Sequence, residues 1–212
     1  MSKGEAMSRP KKVAPEREHD FTLALEGVGE LTTDLSDRLF EAGCDDATPS
    51  ERSGRVFLTF TRVAESIREA VISAVRDVKK AGCEVSRVMG CELVTQAEIA
   101  RKTQRSRQLV HQWISGERGP GGFPPPECFI TESHPLWSWC DVAGWLHQNS
   151  IVKLEVLLEA QEIERINLML AYARMTKMEP ELFDYFVNRV YGDSEPKPSA
   201  RTTGPRRRSS AK

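Results

Sequence analysis

From residue 20 onward, hydrophobic and polar residues alternate, which is typical of a half-buried strand. Apolar residues at helical spacing follow and end at Gly43. A second strand, RVFLTF, a second helical stripe closed by Gly82 and a weaker third strand, CEVSRV, come next. The polar stretch CDDATPSERSG between the first helix and the second strand is interpreted as a loop. The predicted order is β-α-β-α-β, with the helices packed over one face of a small sheet.

Beyond residue 90 the pattern changes to two short helices, so a domain boundary is predicted near Gly90. Thr95 can cap the first helix, and Glu98 three positions later completes a capping box. Ser106 can cap the second helix, which Gly116 ends. About three residues separate the helices, which is the length of a tight corner.

The spacing within this helix pair is typical of a DNA-reading unit. Ala100 is small where the helices must cross closely, and Val110 and Trp113 stand where the second helix must face inward. The pattern resembles the bacterial helix-turn-helix family over about 20 residues. It departs from that family at the corner, where glycine is usual because φ is positive and this chain has Gln104.

If Val110 and Trp113 point inward, the outward face carries side chains suited to the major groove. Arginine pairs with guanine, glutamine pairs with adenine, and serine at a helix N-terminus suits phosphate. The alternative interpretation is the solvated polar face of an ordinary helical hairpin. The candidate DNA-contacting residues are Arg105, Ser106, Arg107, Gln108, His111 and Gln112.

A hairpin and a further helix are predicted after the segment GERGPGG. Extended pieces near residues 128–131 and 136–139 precede a brief helix that Asp141 is expected to cap. With the FPPP before it and the closely spaced tryptophans after it, the module resembles the winged helix-turn-helix of the MerR and excisionase (AlpA-like) families, over residues 93–149. The resemblance implies a recognition helix in the major groove, with Arg118, Thr131 or His134 approaching the neighbouring backbone or minor groove. Because a separate α/β domain precedes the module here, no effector or metal-sensing role carries over.

The overall net charge of −1 hides a segregated distribution. Residues 1–18 carry +2, 19–92 carry −5, 93–150 are neutral, 151–192 carry −2 and 193–212 carry +4. Between Thr95 and Gly121, five of the seven charged residues are basic. Because phosphate contacts are local and screened over about 10 Å, this distribution is compatible with DNA binding. The arginine run at 206–208 either binds DNA phosphates without sequence specificity or increases the solubility of the chain.

Other chemistries fit the sequence less well. The glycines of GERGPGG leave a helix instead of opening one, so they are interpreted as the turn into the wing and not as a phosphate loop. The spacing of Cys128, His134, Cys140 and His147 matches no common zinc finger, and the five cysteines are expected to be reduced thiols. The clustered tryptophans are expected in a core, and the adjacent carboxylates Asp45 and Asp46 in a solvated loop. The chain is therefore expected to be no enzyme and to need no cofactor or metal.

The C-terminal region predicts two helices and an assembly surface. A helix from Val152 to about residue 177 has apolar residues on nearly every side around 168–173. Pro180 suits the first turn of a final amphipathic helix that Gly192 ends. We expect these helices to form the interface of a homodimer. The chain has neither a membrane-length apolar run nor a signal-peptide pattern, so a cytoplasmic protein with no membrane partner is expected.

Together these patterns predict an α+β chain. The predicted parts are a disordered tail (1–18), an α/β domain of unknown role (19–90), a winged helix-turn-helix (91–150), a helical dimerisation element (151–192) and a disordered basic tail (193–212). The predicted function is sequence-specific binding of double-stranded DNA by a transcriptional regulator, through the six candidate residues and Arg118. The alternatives are a protein-interaction factor, such as an antitoxin or accessory subunit, and an excisionase-like architectural DNA-binding protein.

Overall fold

The protein has a mixed α+β architecture. The computed structural model describes residues 15–90, 93–128 and 134–191. Its elements in chain order are β1 (Arg17–Glu26), α1 (Thr33–Glu41), β2 (Ala47–Arg52), β3 (Arg55–Ala64), α2 (Ile67–Lys80), β4 (Glu84–Met89), β5 (Leu93–Val94), α3 (Gln96–Thr103), α4 (Arg107–Ser115), β6 (Trp137–Ser138), α5 (Trp139–Gln148), α6 (Leu154–Met178) and α7 (Pro180–Tyr191).

The first four strands form one antiparallel sheet in the order β2-β3-β1-β4. The chain passes through β-α-β-β-α-β, so each helix connects two parallel strands that have a third strand between them. Leu23, Leu58 and Val88 are buried at neighbouring positions on β1, β3 and β4. Helix α2 packs against all three of these strands and α1 also contributes buried leucines, so the core lies on the helix side of the sheet.

The predicted β-α-β-α-β order was wrong by one strand. The stretch interpreted as a polar loop contains β2, which pairs with β3 along its whole length from Ala47 to Arg52. Polar residues are tolerated there because β2 is an edge strand with one side free of strand neighbours. Ser53 and Gly54 connect the two strands with φ of 52° and 69°, as a two-residue hairpin turn with positive φ at both positions requires.

Strand β1 also begins earlier than predicted. Arg17 and Glu18, assigned from the sequence to a disordered tail, pair with Ala64 and Val63 of β3. The backbone hydrogen bonds of a ladder do not depend on apolar side chains, so a polar strand end gives no hydrophobic signal. Residues 1–14 of that tail and the predicted C-terminal basic tail lie outside the described residues.

Helix α6 lies along the open edge of the sheet at β4. The carboxamide of Asn167 accepts a hydrogen bond from the Val88 N–H at 2.7 Å and donates to the Val88 carbonyl at 2.9 Å. Arg68 of α2 forms an ion pair with Glu162 of α6 at 2.6 Å. These contacts cover part of an edge that would otherwise present unpaired backbone groups.

The described chain divides into two compact units, and the division falls inside α6. The first unit ends at Tyr172, and it includes both the four-stranded sheet and the α3–α4 pair. The second begins at Ala173 and contains the end of α6 and α7, which starts at Pro180 as predicted. Among the described helices, none combines the length and apolar character that a membrane span requires.

Candidate nucleic-acid interface

Helix α3 begins at the capping box predicted from the sequence. The Thr95 hydroxyl accepts from the Glu98 N–H at 3.2 Å, and the Glu98 carboxylate accepts from the Thr95 N–H at 2.8 Å. The hydrogen bond from the Thr95 backbone outweighs burial and lowers the pKa of Glu98. The box satisfies backbone donors that the first turn of a helix leaves without partners.

The corner between α3 and α4 adopts a left-handed backbone conformation at Gln104. Its φ of 55° and ψ of 39° lie in the left-handed region, and φ is positive at the position where the helix-turn-helix family usually has glycine. The Arg105 N–H donates to the Ala100 carbonyl at 2.9 Å, which closes the end of α3. The Ser106 hydroxyl then accepts from the Leu109 N–H at 3.2 Å and caps α4, as predicted.

The inner face of the α3–α4 pair is buried in the way that the sequence indicated. Val110 is 0% exposed and Trp113 is 6% exposed, and they belong to the same core as Ile99 and Ala100 of α3. Burying these side chains fixes the rotation of α4 about its axis. The opposite face of α4 is therefore turned away from the protein.

Most of the candidate DNA-contacting residues lie on that outward face. The side chains at positions 107, 108, 111 and 112 fall within an arc of about 140° on the helix. Gln112 is half-buried, so its side chain is the least accessible of the set. The exposed members are Arg105, Ser106, Arg107, Gln108 and His111.

The basic residues of this region divide into structural and accessible groups. The Lys102 ammonium donates to the Gly90 carbonyl at 2.7 Å and lies 4.7 Å from the centroid of the Trp139 ring. Arg101 is 3.7 Å from the Glu98 carboxylate. Arg105, Arg107 and Arg118 are exposed and make no ion pair with any residue that the structure describes. These three arginines are the cations left to meet an anionic ligand.

A hydrogen bond from α3 fixes the first turn of α4. The Gln96 side-chain amide donates to the Arg107 carbonyl at 2.9 Å, so it connects the N-terminal turns of the two helices. A cleft of about 270 Å³ opens beside this contact and is lined in part by Arg107, the exposed His134 and the buried Trp137.

The glycine-rich loop after α4 (residues 116–122) packs against two tryptophans. A β-carbon added at Gly119 would lie 2.8 Å from Cδ1 of Trp113, so the loop backbone runs directly over that ring. The Trp145 indole N–H donates to the Gly121 carbonyl at 2.8 Å. The sequence identified the turn but gave no sign of these contacts, because it does not show which ring meets which glycine.

The predicted core role of the clustered tryptophans is confirmed. Trp137, Trp139 and Trp145 are each at most 6% exposed. Phe123 joins the cluster, with its ring centroid 4.9 Å from that of Trp145 and 6.3 Å from that of Trp137. These rings are therefore unavailable for stacking on bases.

The described part of the predicted wing is shorter than a full hairpin. Cys128 and Leu136 form an isolated antiparallel bridge, whereas β6 pairs with β5 and so ties this region back to the start of α3. Ser138, and not Asp141, caps α5: its hydroxyl accepts from the Asp141 N–H at 3.2 Å. The wing residue Thr131 lies outside the described residues.

One predicted solvated carboxylate has a structural partner instead. Both oxygens of Asp46 accept from the Arg62 guanidinium, at 2.7 and 2.8 Å, and Arg62 also donates to Asp77 at 2.8 Å. The Arg62 side chain is only 11% exposed, so the sequence position of Asp46 in a polar stretch was misleading. Asp45 is exposed, as expected.

The cysteines of the described residues are free thiols in protected surroundings. Burial, together with the nearby Asp77 carboxylate, raises the pKa of Cys44 to about 11. Burial and a hydrogen bond with Glu164 raise the pKa of Cys140 to about 12. Neither thiol is set up as a thiolate nucleophile. Within residues 15–90, 93–128 and 134–191, no group of three His, Cys, Asp or Glu side chains is arranged to hold a metal ion.

Comparison with known proteins identified no relative. No protein-family model, curated protein or solved structure matches the chain.

Proposed function

We propose that this protein is a sequence-specific DNA-binding transcriptional regulator in which α3 and α4 form a winged helix-turn-helix and α4 is the recognition helix. The observation that carries the proposal is the division of α4 into two faces. Val110 and Trp113 are buried, whereas Arg107, Gln108 and His111 are exposed. An α-helix with such a face fits the major groove, where base edges present their hydrogen-bonding groups.

Each exposed residue has a role that follows from its chemistry. Arg107 can donate two hydrogen bonds to guanine O6 and N7, and Gln108 can pair with adenine N6 and N7. Arg105 and Ser106 precede the helix and suit a phosphate at its N-terminus, where the helix dipole favours an anion. His111 extends the same face by one turn, and Arg118 follows the helix in the glycine-rich loop.

The acidic remainder of the protein is compatible with this role. Arg105, Arg107 and Arg118, which make no ion pair with any described residue, lie on α4 or directly beside its two ends. Binding that neutralises phosphates weakens as salt rises, with a slope of log K against log salt of about −0.9 for each phosphate. We expect a shallow slope, because few cations face the ligand.

The test is selection of bound fragments from random duplex DNA at a fixed salt concentration. The proposal predicts that the wild-type protein enriches a common sequence. The double variant Arg107→Ala, Gln108→Ala is expected to lose that enrichment, whereas Arg55→Ala, at an exposed position at the start of β3, is expected to retain it. If the fragments bound by the wild-type protein share no enriched sequence, the proposal is contradicted.

The proposal includes a homodimer formed through α6 and α7. Leu168 and Met169 are 65% and 73% exposed on α6. On α7, Leu182, Phe186 and Val190 follow each other at four-residue spacing and are each more than half exposed. Large apolar side chains in such a row lose water when a second copy covers them. A symmetric dimer would present two recognition helices to half-sites about 34 Å apart or a multiple of that distance.

Sedimentation equilibrium tests the dimer independently of DNA. A monomer has a mass of 23.8 kDa, and we expect twice that value at micromolar concentration. Phe186→Glu should shift the equilibrium toward monomer, and the matched change Asn188→Glu on the polar side of α7 should not. A monomeric wild-type protein would contradict this part of the proposal.

The same exposed apolar residues favour a second candidate function, a protein-interaction factor such as an antitoxin or accessory subunit. In that case a different protein, and not a second copy, covers α6 and α7. Purification from the native host distinguishes the two functions. A stoichiometric protein partner without enrichment of DNA supports the second candidate.

A further inference from the structure

The glycine-rich loop after α4 is held at three points, although its sequence is typical of a flexible segment. The Arg118 N–H donates to the Gln112 carbonyl at 3.2 Å. Gly119 packs against the Trp113 ring, and the Gly121 carbonyl accepts from the Trp145 indole at 2.8 Å. The first two contacts come from α4 itself, whereas the third comes from α5.

Arg118 forms the first of these anchors through its backbone and has an exposed side chain. Its backbone bond to Gln112 keeps it at the C-terminal end of α4, whereas Arg105 precedes the N-terminal end. Helix α4 has nine residues and is about 13 Å long, so Arg105 and Arg118 are separated by about the length of the helix. Each of these arginines can therefore reach a different phosphate beside the groove that α4 would occupy.

The loop is already ordered before binding, so it loses less conformational entropy when Arg118 contacts a phosphate. A loop with glycine at positions 116, 119, 121 and 122 has many accessible backbone conformations. Ordering such a segment during association weakens binding, and a loop that is already ordered avoids this loss. Among the three anchors, the indole hydrogen bond is the one that a substitution outside α4 can remove. The Trp145 ring also packs against Trp113 of α4, with ring centroids 5.6 Å apart, and phenylalanine keeps an aromatic ring at this position.

We propose that Trp145 is a positioning residue for DNA binding: its indole N–H fixes the Gly121 carbonyl so that Arg118 meets a backbone phosphate beside the groove that α4 occupies. This inference rests on the proposed function. Trp145 itself is 6% exposed and touches no DNA, so it acts through the loop.

Trp137 provides a matched control for the test. It lies in the same aromatic cluster, is 2% exposed and contacts Phe123, as Trp145 does. Its indole nitrogen is buried and has no hydrogen-bond partner among the described residues. Trp137→Phe and Trp145→Phe therefore remove the same atoms from the same core, but only Trp145→Phe removes a hydrogen bond to the loop.

Hydrogen exchange of the backbone amides of residues 118, 119, 121 and 122 in the full chain tests the anchor without DNA. We expect Trp145→Phe to raise these exchange rates at least about threefold relative to Trp137→Phe, since local opening becomes easier. Equal exchange rates in the two variants would overturn the inference, whatever the protein binds.

Affinity for a random-sequence duplex, measured over a range of salt, tests the link to Arg118. Trp145→Phe should weaken binding about three- to tenfold, and Arg118→Ala should weaken it at least as much while reducing the salt slope by about 0.9. Adding Trp145→Phe to Arg118→Ala should weaken binding no further, because the contact is already gone. Additive losses, or equal losses in Trp145→Phe and Trp137→Phe, would overturn the inference.

The two proposals fail in different ways. If Arg107→Ala, Gln108→Ala abolishes sequence selection while Arg118→Ala binds like the wild type, the proposed function stands and the positioning role is wrong. If the wild-type protein binds no duplex while Trp145→Phe loosens the loop, the proposed function is wrong, and the DNA role assigned to Trp145 fails with it.

Discussion

At the residue scale, Gln104 carries a backbone conformation that its own side chain disfavours. The left-handed region costs an L-residue with a β-carbon about 1–2 kcal/mol relative to the right-handed region. Its φ of 55° places Gln104 in that region. The sequence has glutamine at this position, where the helix-turn-helix family usually has glycine. The structure shows that Gln104 itself adopts the left-handed conformation.

Replacing Gln104 with glycine should therefore stabilise the protein. We expect a gain of about 0.5–1 kcal/mol, because glycine removes the steric cost but loses more entropy on folding. Gln104→Val should instead destabilise by at least about 1 kcal/mol, since branching at the β-carbon disfavours positive φ further. Urea denaturation measures both changes. A glycine variant less stable than the wild type would contradict the strain argument.

The Arg62 cluster, formed by Arg62, Asp46 and Asp77, is an interaction that the positions of these residues in the sequence do not reveal. Asp46 and Asp77 are 31 positions apart, yet both bind the one guanidinium, and Arg62 also donates to the Gly43 carbonyl at 2.8 Å. The hydrogen bonds that Arg62 donates to Asp46 outweigh burial and raise the pKa of Arg62, so its charge is permanent. Pairings of this kind depend on how the strands and α2 come together, and a local pattern does not contain that information.

Removing the guanidinium should leave two partly buried carboxylates without their partner. We expect Arg62→Ala to lower the free energy of unfolding by about 2–4 kcal/mol. Arg55→Ala, at an exposed position of the same strand, should change it by at most about 0.5 kcal/mol. Chemical denaturation of the two variants checks the difference, and an equal effect would show that the cluster contributes nothing to stability.

The same cluster predicts how stability depends on pH. Burial is the largest single effect and would raise the pKa of Asp77, but the hydrogen bonds and positive charges of Lys80 and Arg62 together outweigh it and hold the pKa below the ordinary value of 3.8. The unfolded chain therefore binds this proton at a higher pH than the folded chain does. The stabilisation is complete above pH 3.8 and is lost as the pH falls through the lower folded value.

Asp77→Asn should remove this part of the acid sensitivity. The variant is expected to be less stable than the wild type at neutral pH and to lose less stability on acidification from about pH 5 to about pH 2. Denaturation curves at several pH values measure the two slopes. Parallel curves would contradict the assignment of the lowered pKa to Asp77.

At the scale of elements, helix starts were predictable where a cap and an apolar stripe agree. Thr95 and Ser106 cap α3 and α4 at the predicted positions because their hydroxyl bonds depend on local spacing alone. At α5, Asp141 was predicted as the cap, whereas Ser138 caps the helix, which begins at Trp139. Strand β2 was not predicted, because it is defined by its backbone pairing with β3 and has no hydrophobic pattern.

The capping box of α3 gives a prediction at this scale. Thr95→Ala removes the side-chain acceptor for the Glu98 N–H and should cost about 0.5–2 kcal/mol of stability. Thr95→Ser keeps a hydroxyl and should cost less. Thermal or chemical denaturation compares the two variants, and equal losses would mean that the methyl group of Thr95, and not its hydroxyl, stabilises the helix.

At the scale of the whole molecule, the sequence predicted the broad class and the orientation of α4 but not how the parts combine. The chain was divided near residue 90 from a change of pattern, whereas the compact unit that contains the sheet continues to Tyr172. Asn167 and Glu162 of α6 bind Val88 and Arg68 across more than 75 positions of sequence. A local hydrophobic pattern does not show which residues so far apart in the sequence are partners.

The most direct test of the central claim is the specificity of α4 at a single base pair. In a duplex selected by the wild-type protein, each base pair is changed in turn and the affinities of wild type, Arg107→Ala and Arg55→Ala are measured. We predict that Arg107→Ala loses about 1–3 kcal/mol of discrimination at one base pair and keeps the rest, while Arg55→Ala matches the wild type. If Arg107→Ala discriminates at every position as the wild type does, the outward face of α4 does not read DNA.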